Sequence, residues 1–211
     1  DYPSGFFAGW YDLFLPGTLE GFEGYQYRAK DGFKMNSRVF VDPCGHCLEA
    51  GPYFPQHTVD GRSAVMLSEM LQVFGVRPVK RSRIDTVTFY VMSSYDDAGN
   101  KVGNYWTSMS EWPEPTMTDF YLHSDNTLST SAPSSTEEVS TPYTVDPANP
   151  VPTRGGNNLA PSIGGSIECG PWDQSPIDGR SDVLLFETPV GTEPLVLTGP
   201  MFAELFVSSS A

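Results

Sequence analysis

The sequence predicts a mixed protein, a parallel β-α-β piece followed by an all-β sandwich, and three observations predict it. Two apolar runs, Phe6–Tyr11 and Ser37–Val41, flank a stretch of helical spacing, the pattern of buried parallel strands joined by a crossover helix. From Ile84 onward the chain breaks into short β-branched and aromatic segments separated by turns, and with 20 Gly and 19 Pro in 211 residues turn chemistry is abundant. The charge changes at the same place. Residues 1–84 hold 9 Lys and Arg against 9 Asp and Glu, whereas residues 85–211 hold 3 against 17 and carry the whole net charge of −14. A domain boundary is therefore expected near residue 84, dividing the chain into 1–83 and 84–211.

Phe6-Phe7-Ala8-Gly9-Trp10-Tyr11 is continuous in its apolarity, as suits a strand covered on both faces. Pro16 and Gly17 are expected to break it, Thr18 to cap a helix running to about Ala29, and Leu19, Phe22 and Tyr25 to form its inner face. Lys30-Asp31-Gly32 closes that helix. Ser37–Val41 is the second strand, ended by Pro43. A second helix is expected from Arg62 to Phe74, where Met66, Met70 and Val73 adjoin Leu67, Leu71 and Phe74. The basic, proline-broken stretch Arg77–Arg83 reads as a solvated linker.

Thr86–Met92 is the first strand-like segment beyond it, followed by a turn at Asp96–Asn100. Asn104–Thr107, Thr118–Leu122, Asp182–Glu187 and Phe202–Val207 carry the same texture, and together they suggest a jelly roll. Residues 129–142 read as a Ser-, Thr- and Pro-rich loop, and Asp146 to Gly165 is nearly all loop chemistry. The last strand has no closing partner in the sequence, an edge that intact sheets avoid.

Composition narrows the function classes. An acidic field of this size repels phosphate backbones and anionic lipid headgroups, so nucleic-acid and membrane-surface partners are disfavoured. No apolar run approaches the ~20 residues of a membrane span. Three cysteines, Cys44, Cys47 and Cys169, are too few for a disulfide scaffold. Oligomeric state is not legible.

The chemistry-bearing residues lie just past the two strands of the first piece. Asp12 follows the first strand and His46 follows the second, 34 positions later. Parallel strands joined by a helix deliver their carboxyl ends to one sheet edge, so the two side chains are expected side by side there. An Asp that holds one imidazole nitrogen leaves the other free to move protons, the orienting half of a catalytic triad. In α/β-hydrolases the chain order is Ser, Asp, His. Only Ser4 precedes Asp12, and not in a Gly-x-Ser-x-Gly setting, so the chain is expected to be a fragment, truncated at both ends, holding two triad members.

Other candidates rank lower. His57 and His123 have no comparable context. Cys44-Gly45-His46-Cys47 resembles a redox Cys-x-x-Cys, but such a pair needs a helix N-terminus, and Leu48–Pro52 leaves no room for one. A zinc site built on the same four residues is sterically poor. Trp172-Asp173-Gln174 and Arg180-Ser181-Asp182 read as groups that satisfy loop backbone, and Asp96, Asp97 and Asn100 as a hairpin turn rather than calcium ligands.

At these residues the chain resembles the cocaine esterase / X-Pro dipeptidyl-peptidase family of serine hydrolases. Gly9-Trp10-Tyr11-Asp12 resembles that family's Gly-Trp-x-Asp segment, and Val41-Asp42-Pro43-Cys44-Gly45-His46 its Gly-Pro-Trp-x-His segment. Downstream, Trp112–Pro115, Phe120–Leu122, Asp146–Thr153, Gly155-Gly156, Gly170–Gln174 and Arg180–Leu184 are similar to its C-terminal β-domain. Asp42 and Cys44 depart from it, standing where Gly and Trp are usual. The resemblance implies that residues 1–83 end an α/β-hydrolase domain and that 84–211 are an incomplete, galactose-binding-like jelly roll. It also implies Asp12 and His46 as triad members and Trp10 and Phe14 as residues of the substrate pocket. No metal or organic cofactor is implied. The substrate would be a small acyl ester, amide or peptide, cleaved through an acyl-enzyme on an upstream Ser, and the fragment alone would be inactive. Two rivals remain open: an X-Pro dipeptidyl peptidase, and a non-catalytic carbohydrate-binding sandwich presenting Tyr105, Trp106, Trp112 and Trp172.

Overall fold

Extended backbone from Gly5 opens the fold in a computed structural model that describes residues 4–32, 34–35, 37–46, 54, 85–94, 103–136, 140–159, 163–165 and 167–210. The expected helix at 62–74, the linker at 77–83, the turn at 96–100, Cys47 and His57 lie outside the described residues. The chain divides into two compact units, Asp1–Glu111 with Pro142–Leu185, and Trp112–Thr141 with Phe186–Ala211.

The first unit is built on a four-stranded sheet in the order β1-β2-β3-β4. Its strands are β1 (Gly5–Tyr11), β2 (Arg38–Gly45), β3 (Val87–Val91) and β4 (Tyr105–Met109). The β1–β2 and β2–β3 pairs are parallel, and β4 closes the edge antiparallel to β3. Ala8, Val39, Val41 and Val87 are fully or almost fully buried, the outcome expected of strands without polar alternation. The segment expected to open the sandwich, Thr86–Met92, thus lies beside β2, and the sheet continues across the point where the sequence changes texture. Trp106 on β4 packs inward, 4.6 Å from the Phe40 ring and 5.3 Å from that of Tyr90.

Helix α1 (Leu15–Tyr27) connects β1 to β2. It begins earlier than expected because Pro16 falls in the first turn, where no intrahelical N–H is needed, so proline starts this helix rather than delaying it. Its inner face is also displaced: Phe22 and Gln26 are buried, while Tyr25 is about half exposed and meets the Phe6 ring edge-on. Gln26 earns its place through hydrogen bonds. Its Oε1 accepts the Ser37 N–H at 2.9 Å, tying the helix to the entry of β2. Three glycines weaken α1 as an isolated helix, but Gly21 has a use, since a Cβ there would lie 3.0 Å from the Phe6 ring.

β2 runs on to Gly45 instead of ending at Pro43, and a β-bulge makes this possible. Gly5 pairs with Arg38 and Gly9 with Asp42, an offset of 33, but Tyr11 pairs with Gly45, an offset of 34. One extra residue is inserted on β2 between Asp42 and Gly45. Pro43, which has no N–H for a ladder, is accommodated there.

Among the described residues, the rest of the first unit is mostly loop, with one short helical turn, α2 (Ser175–Asp178). Gly156 and Gly170 form an antiparallel bridge, and Gly155, at φ +62°, leaves room that a Cβ would take from Trp172. The polar residues of this region serve the backbone: Arg154 Nε donates to the Asp173 carbonyl, Gln174 Nε2 to those of Arg154 and Trp172, and Arg180 to that of Asn149 and to the Asp182 carboxylate.

In the second unit β5 (Tyr121–Leu122) and β6 (Leu128–Ser129) form a two-stranded antiparallel sheet, and Thr127 bridges to Glu187. Phe202–Val207, expected as a strand, has no ladder partner among the described residues, and Phe202 and Phe206 are exposed.

Candidate active site

The bulge sets the geometry of the sheet edge. After it, the offset between β1 and β2 is 34, the separation of Asp12 and His46 in sequence. Both residues follow directly on their strands, and His46 Nδ1 lies 3.0 Å from Asp12 Oδ1. The carboxylate is held in a turn: the Asp12 N–H donates to the Gly9 carbonyl, the Asp12 carbonyl accepts the Leu15 N–H, and Oδ1 accepts the Phe14 N–H at 2.9 Å. The turn that starts α1 therefore also aims the Asp12 side chain.

The pair lies across a gradient of exposure. The Asp12 side chain is 11% exposed and that of His46 is 35% exposed. An aspartate carboxylate only accepts, so the proton of the neutral imidazole sits on Nδ1 and the lone pair on Nε2. No described residue hydrogen-bonds His46 Nε2. The ring of Phe14 stands edge-on to His46, centroids 5.0 Å apart at 79°, and is itself more than half exposed. Chemically, the arrangement can take a proton at Nε2 and stabilise the resulting imidazolium through Asp12.

Asp12, Phe14 and His46 are thus brought together. Trp10 is directed elsewhere: its Nε1 donates to the Tyr90 carbonyl at 2.7 Å, and its ring packs edge-on against Phe89 on β3. Cys44 and His46 also diverge. The Cys44 thiol is buried beside Phe54 and Tyr90 and bonded to Asp42, whereas His46 faces Asp12. Cys44 lies in a strand, not at a helix N-terminus, which removes the dipole that a low-pKa redox thiol requires. Among the described residues no three His, Cys, Asp or Glu side chains cluster as metal ligands, and no helix is long and apolar enough to cross a membrane.

Burial raises the Tyr11 and Tyr90 hydroxyls above their ordinary pKa, consistent with their places on β1 and β3. Residues overlooked in the sequence are Gly9 and Asp42. A glycine inside an apolar strand was the visible sign of a close backbone approach, and a Cβ at Gly9 would lie 2.0 Å from the Cys44 carbonyl oxygen. Asp42 showed in the sequence only as a departure from the family pattern, because nothing there reveals which polar residue a bulge will enclose.

Comparison with known proteins adds two findings. Residues 83–211 match a family described as the X-Pro dipeptidyl-peptidase C-terminal non-catalytic domain. The chain is 31% identical, over an alignment of 226 positions, to a cocaine esterase of Rhodococcus sp. (strain MB1 Bresler), covering 97% of this chain and 35% of that protein. It therefore spans about a third of the length of that relative. No solved structure matches. With the domain match extending over more than half of its residues, the chain belongs to the cocaine esterase / X-Pro dipeptidyl-peptidase family.

Proposed function

We propose that this chain supplies the acid–base half of a serine hydrolase that cleaves small acyl esters or amides through an acyl-enzyme. In this reading His46 Nε2 takes the proton of a serine hydroxyl as the serine attacks the acyl carbon. It then passes that proton to the leaving group, and repeats both transfers with water as nucleophile. Asp12 keeps Nδ1 protonated and stabilises the imidazolium formed in each half-reaction. The serine comes from a part of the polypeptide outside these residues. Phe14, exposed beside the imidazole, offers an apolar wall to the acyl group. The observation that carries the reading is the 3.0 Å contact between Asp12 and His46 at the carboxyl ends of two parallel strands. Family membership supports it.

Residues 1–83 would complete the catalytic domain and 84–211 the β-domain, a jelly roll in this proposal. The name of the matched family favours one second reading, a whole protein that is an X-Pro dipeptidyl peptidase in which residues 83–211 have no catalytic role. A carbohydrate platform gains little from Trp106, whose ring is partly buried against Phe40 and Tyr90.

The test uses the full-length protein with a fluorophosphonate probe, short acyl p-nitrophenyl esters and X-Pro anilides. Labelling and ester turnover that both fall at least a thousandfold in His46→Ala support the esterase reading. Turnover of the anilides alone favours the peptidase. Activity unchanged in His46→Ala refutes both.

A further inference from the structure

We propose that Asp42 is a positioning residue whose buried carboxylate closes the β2 bulge and so sets His46 opposite Asp12. The proposal rests on the hydrolase reading for its meaning but not for its geometry.

The side chains of a strand alternate between faces, so a one-residue change of register reverses which face each presents. With the offset of 33 that holds from Gly5 to Gly9, Asp12 would stand opposite Gly45, and His46 would be displaced by one position. The extra residue between Asp42 and Gly45 shifts the offset to 34 and pairs the two. A bulge takes backbone groups off the ladder, and in the interior these need other partners. Pro43 brings no N–H. The Cys44 N–H is bonded to Asp42 Oδ1 at 3.0 Å, and the same oxygen receives the Cys44 thiol. Asp42 is fully buried, so water cannot take over this role. On the facing strand Gly9 leaves open the space that the displaced Cys44 carbonyl and the Asp42 carboxylate occupy, at 2.0 and 3.0 Å from where a Cβ would stand. Gly9, Asp42 and Cys44 thus form one device, two residues upstream of the histidine it aims.

The experiment compares Asp42→Asn, which keeps an acceptor oxygen at the same position, with Asp42→Ala, which removes it, in the full-length protein. The first readout is the downfield NMR resonance of the His46 Nδ1 proton shared with Asp12, assigned by its loss in Asp12→Ala. The second is the division of any lost ester turnover between kcat and KM. The asparagine variant is expected to keep the resonance and a kcat within about threefold of wild type. The alanine variant is expected to lose the resonance and about 10²-fold in kcat with KM unchanged, the scale of an ångström's misplacement.

An alanine variant that keeps resonance and kcat overturns the proposal, as does an asparagine variant that loses both. Should the alanine variant not fold, the asparagine variant decides alone by the same criteria. A wild-type protein inert toward both acyl esters and X-Pro anilides but showing the expected pattern of resonances refutes the hydrolase reading and leaves the positioning role standing.

Discussion

Replacing Gly9 by Ala puts a methyl group where the structure has none to spare. Built on the observed backbone, the new Cβ lies 2.0 Å from the Cys44 carbonyl oxygen, 2.7 Å from its carbon and 3.0 Å from Asp42 Oδ1. The first two atoms are backbone, so no rotamer change can relieve the clash, and the β2 bulge must retreat by about 1 Å. Overpacking a closed interior costs roughly 1–3 kcal/mol, and a backbone contact of this kind belongs at the upper end, about 3 kcal/mol. For a domain of 150–250 residues that lowers Tm by roughly 6–12 °C. Gly24→Ala is the matched control. It adds the same methyl in the interior of α1 with nothing within 4 Å, and is expected to stabilise the protein by up to about 1 kcal/mol through helix propensity. Thermal unfolding of both variants by calorimetry reads the difference. A Gly9→Ala protein within 2 °C of wild type (roughly 1 kcal/mol or less), or as stable as Gly24→Ala, refutes the close approach of β1 to the bulge.

Three further outcomes are expected. Asp12→Asn should leave the protein folded but lower kcat by about 10³–10⁴-fold, since an amide can hold the ring in the wrong tautomer; stopped assays with a short acyl ester check it. Gln26→Ala should cost about 3 kcal/mol, because the buried Ser37 N–H loses its acceptor and a cavity opens beneath the helix, and a lowered urea midpoint with unchanged slope would show this. The Ser175 N–H and hydroxyl hold the Asp173 carboxyl below its ordinary pKa. A carboxyl lowered in the folded state contributes stability above its unfolded pKa of ~3.9, lost as pH falls through the folded value. Ser175→Ala should therefore move the Asp173 midpoint upward in a carbon-detected NMR titration and leave the stability at pH 7 less dependent on that ionisation.

How far the sequence could be read depended on whether a segment's structure is set by its own pattern. Phe6–Tyr11 and Ser37–Val41 were legible because their apolar residues seek cover, although on β1 only Ala8 and Gly9 are buried, and Asp12 and His46 followed from where those strands end. The start of α1 was misplaced by four residues, the cap being Phe14 and not Thr18, because Pro16 reads equally as a breaker or as the second residue of a helix, and only the chain direction after Asp12 decides. Gln26 was invisible as an inner-face residue, since its burial depends on one N–H donated by Ser37, the residue before β2. Pro43 misled for a related reason: it ends an ordinary strand, but not one that bulges around it. The strands expected at Asp182–Glu187, where among the described residues only Glu187 reaches a partner strand, and at Phe202–Val207 show the opposite failure. Their texture permits a strand, yet a strand exists only when another backbone takes up its hydrogen bonds.

The register change on β2 also dictates which insertions the protein can absorb. The 34-residue separation of Asp12 and His46 is not itself a constraint, because residues added or removed in the helix or in the connection after it only lengthen or shorten a crossover. The four positions from Asp42 to Gly45 are different: the strand holds one residue more there than the strand it faces, and only the bulge absorbs it. Aligned relatives should therefore show free length variation between Arg28 and Ser37, and immediately before the histidine at most the single residue that a bulge can take up. Where a relative lacks the extra residue on this strand, the ladder should run unbulged at an offset of 33 and still bring the histidine opposite the aspartate.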